Sequence, residues 1–368
     1  MKVIVLGAGA AMAVPIWPLL GAEPDVEKVV LADHDIKKVR SLAARLGAKH
    51  EAIQIDAADH SSLVAALRGH DVAMGYIGPF YRFEEGVVRA CIEAGTHYVS
   101  IADDYDSYLK VEGLHEQASK AGVTVISGLG NSPGLTNLLA RKGYYSMDTP
   151  ERIHIAWTGG SDEEVGPANV KHVMHIFEGR TLQWLNGAET FVDCGSGEKE
   201  VEFPEPFGRQ TVFYTGHAES VSVPRNLKGL REVTLHGGVR PTWVARLAIL
   251  LGKLGVTTSH ERREVLARIL APVMSFFKLG GSADKSVFRI DVYGSHQGKP
   301  CHHWYAGIGH IAEITSYPLL EGALMVGRGE IQQRGVFAAE AALDPDVFLA
   351  RVQRRGVTLY FHEDEQAP

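Results

Sequence analysis

Apolar and polar residues follow a repeating pattern over the first 137 residues of the chain. Short apolar runs, typical of buried strands, alternate with longer segments in which apolar residues recur every three or four positions, as in helices. The predicted strands are 3–6, 28–32, 52–55, 71–77, 97–101 and 123–126. The predicted helices are a segment from about 10, then 35–46, 61–67, 84–94, 105–121 and a segment from about 135. Strands joined by helical crossovers predict a doubly wound parallel sheet of the α/β class.

The pattern changes from about Arg152, where strand-like runs outnumber helical ones. The predicted strands are 152–158, 211–215, 220–223, 231–235, 286–293 and 300–307, and the predicted helices are 169–177, 243–254 and 259–278. This indicates an α+β domain around a mixed or antiparallel sheet. The last section predicts a helix over 311–327, a helix capped near Asp344 and a strand over 357–361.

The first strand runs into a glycine turn that is typical of a dinucleotide site. Gly7 permits a tight turn, and Gly9 lets the backbone approach a pyrophosphate bound at the start of the next helix. Met12 replaces the usual third glycine. An ordinary strand-to-helix turn is the alternative. Pro18 should shorten or kink the helix, and Met12 should push it slightly away from the strand, so we expect weaker binding of pyrophosphate.

Asp33 ends the second predicted strand, 21 residues beyond Met12. A carboxylate at this point can accept both hydroxyls of an adenosine ribose and repels a 2′-phosphate, which favours NAD. Capping of the next helix is its alternative role. Lys37, Lys38 and Arg40 offer a phosphate site, so NADP remains open.

Other candidate residues follow the remaining strands, whose carboxyl ends meet at one edge of a parallel sheet. The expected cofactor contacts are Gly7, Gly9, Ala10, Ala11, Met12, Asp33, Asp56, Gly78, Pro79 and Phe80. Asp103 or Asp104 could bind a substrate amine or exchange a proton, with helix capping as the alternative.

The second domain contributes His217, Glu219 and Arg240, which lie at strand ends beside glycines. Arg240 could bind a substrate carboxylate through its planar guanidinium, or form a surface ion pair. His302 and His303 are consecutive on a predicted strand and point to opposite faces, while His172 and His175 have no second set of ligands in view. We therefore expect no metal site.

Composition narrows the class of protein. The 368 residues are 45% hydrophobic and 22% charged with a net charge of -7, which fits two globular domains and disfavours nucleic acid as a partner. Cys91, Cys194 and Cys301 are too few and too far apart for a disulfide framework or a zinc site. With neither a signal-peptide pattern nor a membrane-spanning apolar stretch in the sequence, we expect a cytoplasmic protein.

The motifs together resemble the saccharopine dehydrogenase superfamily, and within it lysine 6-dehydrogenase in length and layout. The matching segments are Val3-Ile-Val-Leu-Gly-Ala-Gly9, Leu31-Ala-Asp33, Cys91-Ile-Glu-Ala-Gly-Thr-His-Tyr-Val-Ser100, Ala121-Gly-Val-Thr-Val-Ile126, Gly130-Asn-Ser-Pro-Gly-Leu-Thr-Asn137, Gly335-Val-Phe-Ala-Ala-Glu340 and Arg354-Arg-Gly-Val357. One departure is Gly238-Val-Arg-Pro241, at the position where the relatives carry Gly-His-Ala-Glu, a motif that this chain has earlier, at 216–219. Lysine is therefore not the expected substrate.

The resemblance implies a Rossmann-type domain of residues 1–138 and 311–368, with residues 139–310 as an inserted α+β domain for substrate and dimerisation. It implies NAD(P)-dependent oxidation or reduction of a CH–NH group in an amino acid or amine, in a homodimer. Near the reacting centre it implies Asp103 or Asp104 and the turn with Asn131, Pro133, Gly134 and Asn137, to which we add Tyr81, His217, Glu219 and Arg240. Reduction of another carbonyl or C=C bond, or a non-catalytic nucleotide sensor, are the alternatives.

Overall fold

The structure is a computed structural model that describes residues 1–159, 174–257, 261–262, 265–266 and 285–364. The described residues form two compact units. The first unit contains Met1–Leu135 and Ala312–Asp344, and the second contains Thr136–Ile311 and the chain from Pro345 onward.

Sixteen strands occur in the described part of the chain. They are β1 Lys2–Leu6, β2 Lys28–Asp33, β3 His50–Gln54, β4 Val72–Gly75, β5 His97–Ser100, β6 Thr124–Ile126, β7 Thr149–Gly159, β8 Arg180–Leu185, β9 Ala188–Asp193, β10 Lys199–Phe203, β11 Gly208–Tyr214, β12 Glu232–Val239, β13 Ser286–His296, β14 Lys299–Gly309, β15 Gly335–Phe337 and β16 Thr358–Asp364.

The α-helices with assigned bounds lie in the same ranges. They are α1 Trp17–Ala22, α2 Ile36–Leu46, α3 His60–Leu67, α4 Phe80–Ala94, α5 Tyr105–Glu112, α6 His115–Lys120, α7 Leu135–Tyr145, α8 Glu219–Asn226, α9 Thr242–Lys253, α10 Ile311–Gly327, α11 Ala339–Ala342 and α12 Pro345–Arg354.

The first unit has a parallel sheet of seven described strands in the order β15-β6-β5-β4-β1-β2-β3. The strand order reverses on either side of β1, as in a doubly wound Rossmann-type sheet, so the predicted fold class is confirmed. Apolar residues of β1, β4 and β6 pack against α3 and α4 in a continuous core. The turn that follows β1 therefore lies at the position where ligands bind in such sheets.

The predicted helical segment from about residue 10 is confirmed in part, because it is divided into two short helices of different kinds. Ala11–Ile16 forms a 3₁₀ segment that contains Pro15, and α1 begins afterwards with Pro18 in its first turn. Proline lacks an N–H donor, but the first turn of a helix needs none, so the break between the two segments accommodates Pro18 without a lost hydrogen bond. The predicted helix over 105–121 is likewise two helices, α5 and α6.

The second unit contains a mixed sheet of nine described strands. Its main path runs β10-β11-β12-β7-β13-β14-β16, and β8 pairs with β12 and β9. β12 is parallel to β7, whereas the other pairs are antiparallel. This agrees with the predicted α+β domain, although β8, β9 and β10 were not predicted.

Two predictions fail in the second unit. Residues 220–223 form part of α8 rather than a strand, because this Ser-Val-Ser-Val alternation does not separate a buried face from an exposed one: all four residues are buried. The tail does not return whole to the first domain. β15 and most of α10 belong to the first unit, whereas β16 pairs with β14 in the second. The predicted helices over 169–177 and 259–278 lie largely outside the described residues.

Among the described helices, none has both the length and the apolar character needed to cross a membrane.

Candidate active site

The turn after β1 is shaped by two glycines. Gly7 has a φ of 77°, and a Cβ there would lie 2.9 Å from the backbone carbonyl of Tyr76, which follows β4. The Gly7 and Ala8 N–H groups donate to the Ala32 carbonyl at the end of β2. The ends of β1, β2 and β4 thus pack so closely that residue 7 has no room for a side chain.

The first N–H groups of the 3₁₀ segment remain as possible donors to a ligand. The Ala10 N–H donates to the Gly7 carbonyl, whereas those of Ala11 and Met12 have no acceptor among the residues that the structure describes. The Met12 carbonyl accepts a hydrogen bond from the Ser316 hydroxyl of α10. The 3₁₀ segment is therefore fixed to α10, while the N–H groups of Ala11 and Met12 remain available to a ligand.

Asp33 fixes the turn from the end of β2. Its Oδ2 accepts the Gly9 N–H at 2.8 Å, and its Oδ1 accepts the Asp35 N–H at 3.0 Å and contacts His34 Nδ1 at 2.8 Å. A Cβ on Gly9 would lie 3.0 Å from Asp33 Oδ2 and 3.2 Å from Lys38 Cδ. Asp33 and Lys38 thus both lie against Gly9, while Asp35, not Asp33, caps α2.

The segment after β4 begins α4, and Asp104 supports it. The buried Asp104 Oδ2 accepts the Tyr81 N–H at 2.9 Å. An acceptor at a helix N-terminus satisfies a backbone donor that has no partner within the helix. The structure therefore brings together Asp104, Tyr81 and the Gly78-Pro79-Phe80 segment. Asp103, which precedes Asp104 in the chain, is half-buried.

The turn after β6 is compact and buried. Gly130 forms a bridge with Gly134, whose φ is 124°, and a Cβ on Gly134 would lie 2.3 Å from the Gly130 carbonyl oxygen. Pro133 packs against Gly128. Asn131 is 7% exposed, and its Oδ1 has no hydrogen-bond partner within the described part of the chain. A buried amide oxygen of this kind points to a donor from a ligand or water.

A buried polar cluster in the second unit contains two further predicted residues. Glu219 is fully buried and its Oε1 accepts the Thr136 hydroxyl at 2.8 Å, while its Oε2 lies 3.9 Å from His217 Nδ1. The His217 ring stacks on the Trp157 indole with centroids 5.2 Å apart. Next to Thr136, Asn137 donates to the Ser222 hydroxyl at 3.1 Å.

The cluster has the chemistry of an amine site. A carboxylate that is fully buried is costly unless a cation or several donors accompany it, and an indole face attracts cations. Trp157 Nε1 is also buried with no partner among the described residues. Glu219, His217 and Trp157 therefore offer a charge, a ring nitrogen and an aromatic wall to a cationic group.

Two predicted residues lie in other environments. The Arg240 guanidinium packs 4.3 Å from the centre of the Phe207 ring, as a cation–π contact. Asp56 is exposed at the end of β3, the outermost described strand, and its Oδ1 accepts the Ala58 N–H in a turn before α3.

The paired histidines have separate partners. His302 Nε2 lies 2.8 Å from Asp291 Oδ1, whereas His303 Nδ1 lies 2.7 Å from the Ser146 hydroxyl. No group of three metal-binding side chains occurs among the residues with described positions. His172 lies outside the described residues, and His175 is half-buried.

One buried carboxyl group, that of Glu84, was not identified from the sequence. Glu84 of α4 is 1% exposed, and burial raises its pKa to about 7 although Tyr98, Ser100 and Ser127 donate hydrogen bonds to it. The sequence carried a signal, since Glu84 shares helical spacing with Val87, Val88 and Cys91, all buried.

Residues 3–126 match the family model described as the saccharopine dehydrogenase NADP binding domain, and residues 186–357 match the saccharopine dehydrogenase C-terminal domain. The chain belongs to the saccharopine dehydrogenase family. It is an NAD(P)-dependent oxidoreductase with a nicotinamide cofactor and a small-molecule substrate. The resemblance to the superfamily is thus confirmed, and the likeness to lysine 6-dehydrogenase stays a prediction.

Some similar proteins match most or all of the chain. Carboxyaminopropylagmatine dehydrogenase of Synechocystis sp. is 23% identical over 406 residues, which cover 100% of this chain and 98% of the relative. Carboxynorspermidine synthase of Vibrio alginolyticus is 25% identical, over 86% of this chain and 84% of the relative. The solved apo saccharopine dehydrogenase (L-Glu forming) from Saccharomyces cerevisiae superposes with a TM-score of 0.74, covers 99% of each chain and is 17% identical, which indicates a common fold.

Proposed function

We propose that this protein catalyses NAD-dependent hydride transfer at the C–N bond of a substrate that combines an amino acid with an amine. The observation that carries the proposal is the buried cluster of Glu219, His217 and Trp157. The two relatives that match most or all of the chain support it, since their names describe a dehydrogenase and a synthase of carboxylated amine compounds.

The residues of the first unit fit a dinucleotide. Gly7 and Gly9 permit the close packing that shapes this turn, and beyond it the Ala11 and Met12 N–H groups can donate to a pyrophosphate. Gly78, Pro79 and Phe80 would line the nicotinamide half. The nicotinamide ring, when bound, accepts or supplies the hydride.

Asp33 supports NAD over NADP. An ionised carboxylate has about four acceptor positions, of which backbone N–H groups and His34 use three. The remaining position on Oδ2 can accept a ribose hydroxyl, and its charge repels a 2′-phosphate. Lys38 is the residue that could instead attract that phosphate, so NADP is the second candidate.

The remaining residues would bind the substrate and move a proton. Glu219 and Trp157 would bind a cationic nitrogen, and Arg240 a carboxylate while its face still covers Phe207. Oxidation of the substrate C–H would also require the amine N–H to lose a proton, so that the C–N bond becomes the C=N bond of an imine. Asp103 or Asp104 would accept that proton. Asn131 and Asn137, with Pro133 and Gly134 shaping the turn after β6, would orient the substrate together with Tyr81 at the start of α4.

A homodimer is also part of the proposal. Trp243, Leu247, Leu250 and Leu254 occupy one stripe of α9 and its end, and between 39% and 67% of each residue is exposed. Exposed apolar stripes of this kind are typical of subunit interfaces.

One screen tests the activity. Purified protein is mixed with NADH or NADPH and pooled pairs of an amine and a 2-oxo acid or aldehyde, and loss of the reduced-nicotinamide absorbance is followed. The proposal expects turnover with a pair that contains a di- or polyamine, faster with NADH. Cofactor binding without turnover of any amine pair, or turnover of carbonyl compounds alone, would contradict it.

A further inference from the structure

The Glu84 carboxyl lies at a junction of three elements. From α4 it reaches the last residue of β5, where the Ser100 hydroxyl donates to Oε1 at 2.5 Å. The Ser127 hydroxyl, directly after β6, donates to the same oxygen at 3.4 Å, and the Tyr98 hydroxyl donates to Oε2 at 2.8 Å. A Cβ on Gly75 would lie 2.1 Å from the Tyr98 hydroxyl, so the glycine at the end of β4 makes room for this bond.

The contacts continue from the serines into the candidate site. The Ala102 N–H donates to the Ser100 hydroxyl at 3.4 Å, and Asp103 and Asp104 follow directly. A Cβ on Gly128, which follows Ser127, would lie 2.9 Å from the Ala102 carbonyl oxygen. Asp104 in turn contacts the start of α4, because its carboxylate accepts the Tyr81 N–H. Glu84 therefore closes a ring of contacts that holds the aspartates and the turn after β6.

The proton on Glu84 changes this ring near neutral pH. Burial raises its pKa to about 7, the three hydroxyl donors oppose that rise, and the negative charge of Asp104 adds to it. The other titratable groups that face Glu84 are Tyr98 of β5 and Cys91 of α4, and burial raises the pKa of each well above its ordinary value. When ionised, Glu84 accepts hydrogen bonds from all three hydroxyls. When protonated, one of its oxygens donates, so the hydroxyl that faces that oxygen must accept and direct its own O–H elsewhere.

We propose that Glu84 is a positioning residue for the reaction, and that its ionised form, acting through Ser100 and Ser127, holds Asp103, Asp104 and the turn after β6 in their working arrangement. This inference rests on the proposed function, because it assumes that the reaction takes place at these strand ends. Glu84 is buried and would itself contact neither substrate nor cofactor.

The test compares Glu84→Gln with the wild type across pH. The amide has nearly the same shape, but it has one acceptor oxygen and cannot ionise. We expect the ratio of wild-type to variant kcat to rise severalfold from about pH 6 to about pH 8 with a midpoint near 7, while KM changes little. Titrations of the substrate amine and of the chemical step occur in both proteins, so they cancel in the ratio.

A second measurement separates positioning from a purely structural role. Because the pKa of Glu84 is raised in the folded state, the wild type should lose unfolding free energy relative to Glu84→Gln as pH rises from 4.5 through about 7. Such a slope together with a pH-independent kcat ratio would make Glu84 structural only and overturn the proposal. A kcat ratio and a difference in unfolding free energy that both stay constant with pH would overturn the proposal as well.

Glu85→Gln is the matched control, since Glu85 lies one residue along α4 in an exposed pair with Arg89. Its kcat ratio to the wild type should stay constant over the same pH range, and a rise equal to that of Glu84→Gln would overturn the proposal. Absence of turnover by the wild type would overturn the proposed function and, with it, the role of Glu84. A flat ratio in an active enzyme would overturn the role of Glu84 alone.

Discussion

Asp33 has a structural contact and a proposed ligand contact on one carboxylate. Replacement by Asn keeps an acceptor for the Gly9 N–H but removes the charge that repels a 2′-phosphate. We expect Asp33→Asn to weaken NADH binding by about tenfold, for a loss of about 1.4 kcal/mol, and to strengthen NADPH binding. The measurement is the dissociation constant of each cofactor from protein fluorescence.

The control for this change is Asp35→Asn, because Asp35 only caps α2 through the Lys38 N–H. It should leave the ratio of the two dissociation constants unchanged. Equal weakening of both cofactors by Asp33→Asn would mean that Asp33 supports the turn without selecting the cofactor.

Glu219 tests the amine site. Glu219→Gln keeps an acceptor for Thr136 but removes the charge offered to a cationic substrate. A charge-assisted hydrogen bond contributes about 1.5–3 kcal/mol, so kcat/KM should fall by about 10- to 100-fold, with cofactor affinity unchanged. Steady-state kinetics with the amine substrate provides the measurement.

Glu189→Gln is the comparison for Glu219, since Glu189 forms an exposed pair with Arg225 in the same unit. It should retain the wild-type kcat/KM. If Glu219→Gln behaved in the same way, the amine would have to bind elsewhere.

The prediction of these residues from sequence had a physical limit. Asp33, Asp104 and the glycines are predictable because parallel strands place their carboxyl ends at one edge. The contact of Glu219 with Thr136 joins residues 83 apart in the chain, and no local period encodes it. Glu84 was recoverable from its helical spacing, but its serine partners were not.

Among the elements, the 3₁₀ segment after β1 explains how the chain accommodates its prolines. A regular helix from residue 10 would place Pro18 in its interior, where proline costs about 3 kcal/mol. Ending the 3₁₀ segment at Ile16 and starting α1 at Trp17 moves Pro18 into a first turn. Whether this segment binds pyrophosphate less firmly than a regular helix stays a prediction.

The turn before this segment can be tested with Gly7→Ala. Alanine at a φ of 77° costs about 1–2 kcal/mol, and its Cβ would also meet the Tyr76 carbonyl at 2.9 Å. We therefore expect a larger loss of unfolding free energy than for Gly95→Ala, where φ is 73° but no atom lies within 4 Å. Urea unfolding measures both, and equal losses would show that the close approach to Tyr76 is relaxed in solution.

At the level of the whole molecule, the proposed dimer depends on the exposed stripe of α9. Leu250→Glu would place a charge in the stripe, and burying it in an interface is costly. The expected outcome is a shift from dimer to monomer in light scattering after size-exclusion chromatography. Val347→Glu, on α12 and 49% exposed, is the control and should not change the mass. A dimer that persists in Leu250→Glu would place the interface on another surface.

The sequence by itself determined most elements of the first unit and the class of each unit. Buried strands and amphipathic helices have distinct periods, and six strands linked by crossovers can form only a parallel sheet. The glycine turn, Asp33 and the family motifs could also be predicted, because each is a short local feature of the chain.

Only the tertiary structure decided which distant segments meet. It divided the tail between β15 in the first unit and β16 in the second, since each short strand joins whichever sheet edge can pair its backbone groups. It also buried Glu84 among hydroxyls and joined Glu219 to Thr136. Contacts of this kind depend on packing between residues far apart in sequence, and packing has no period along the chain.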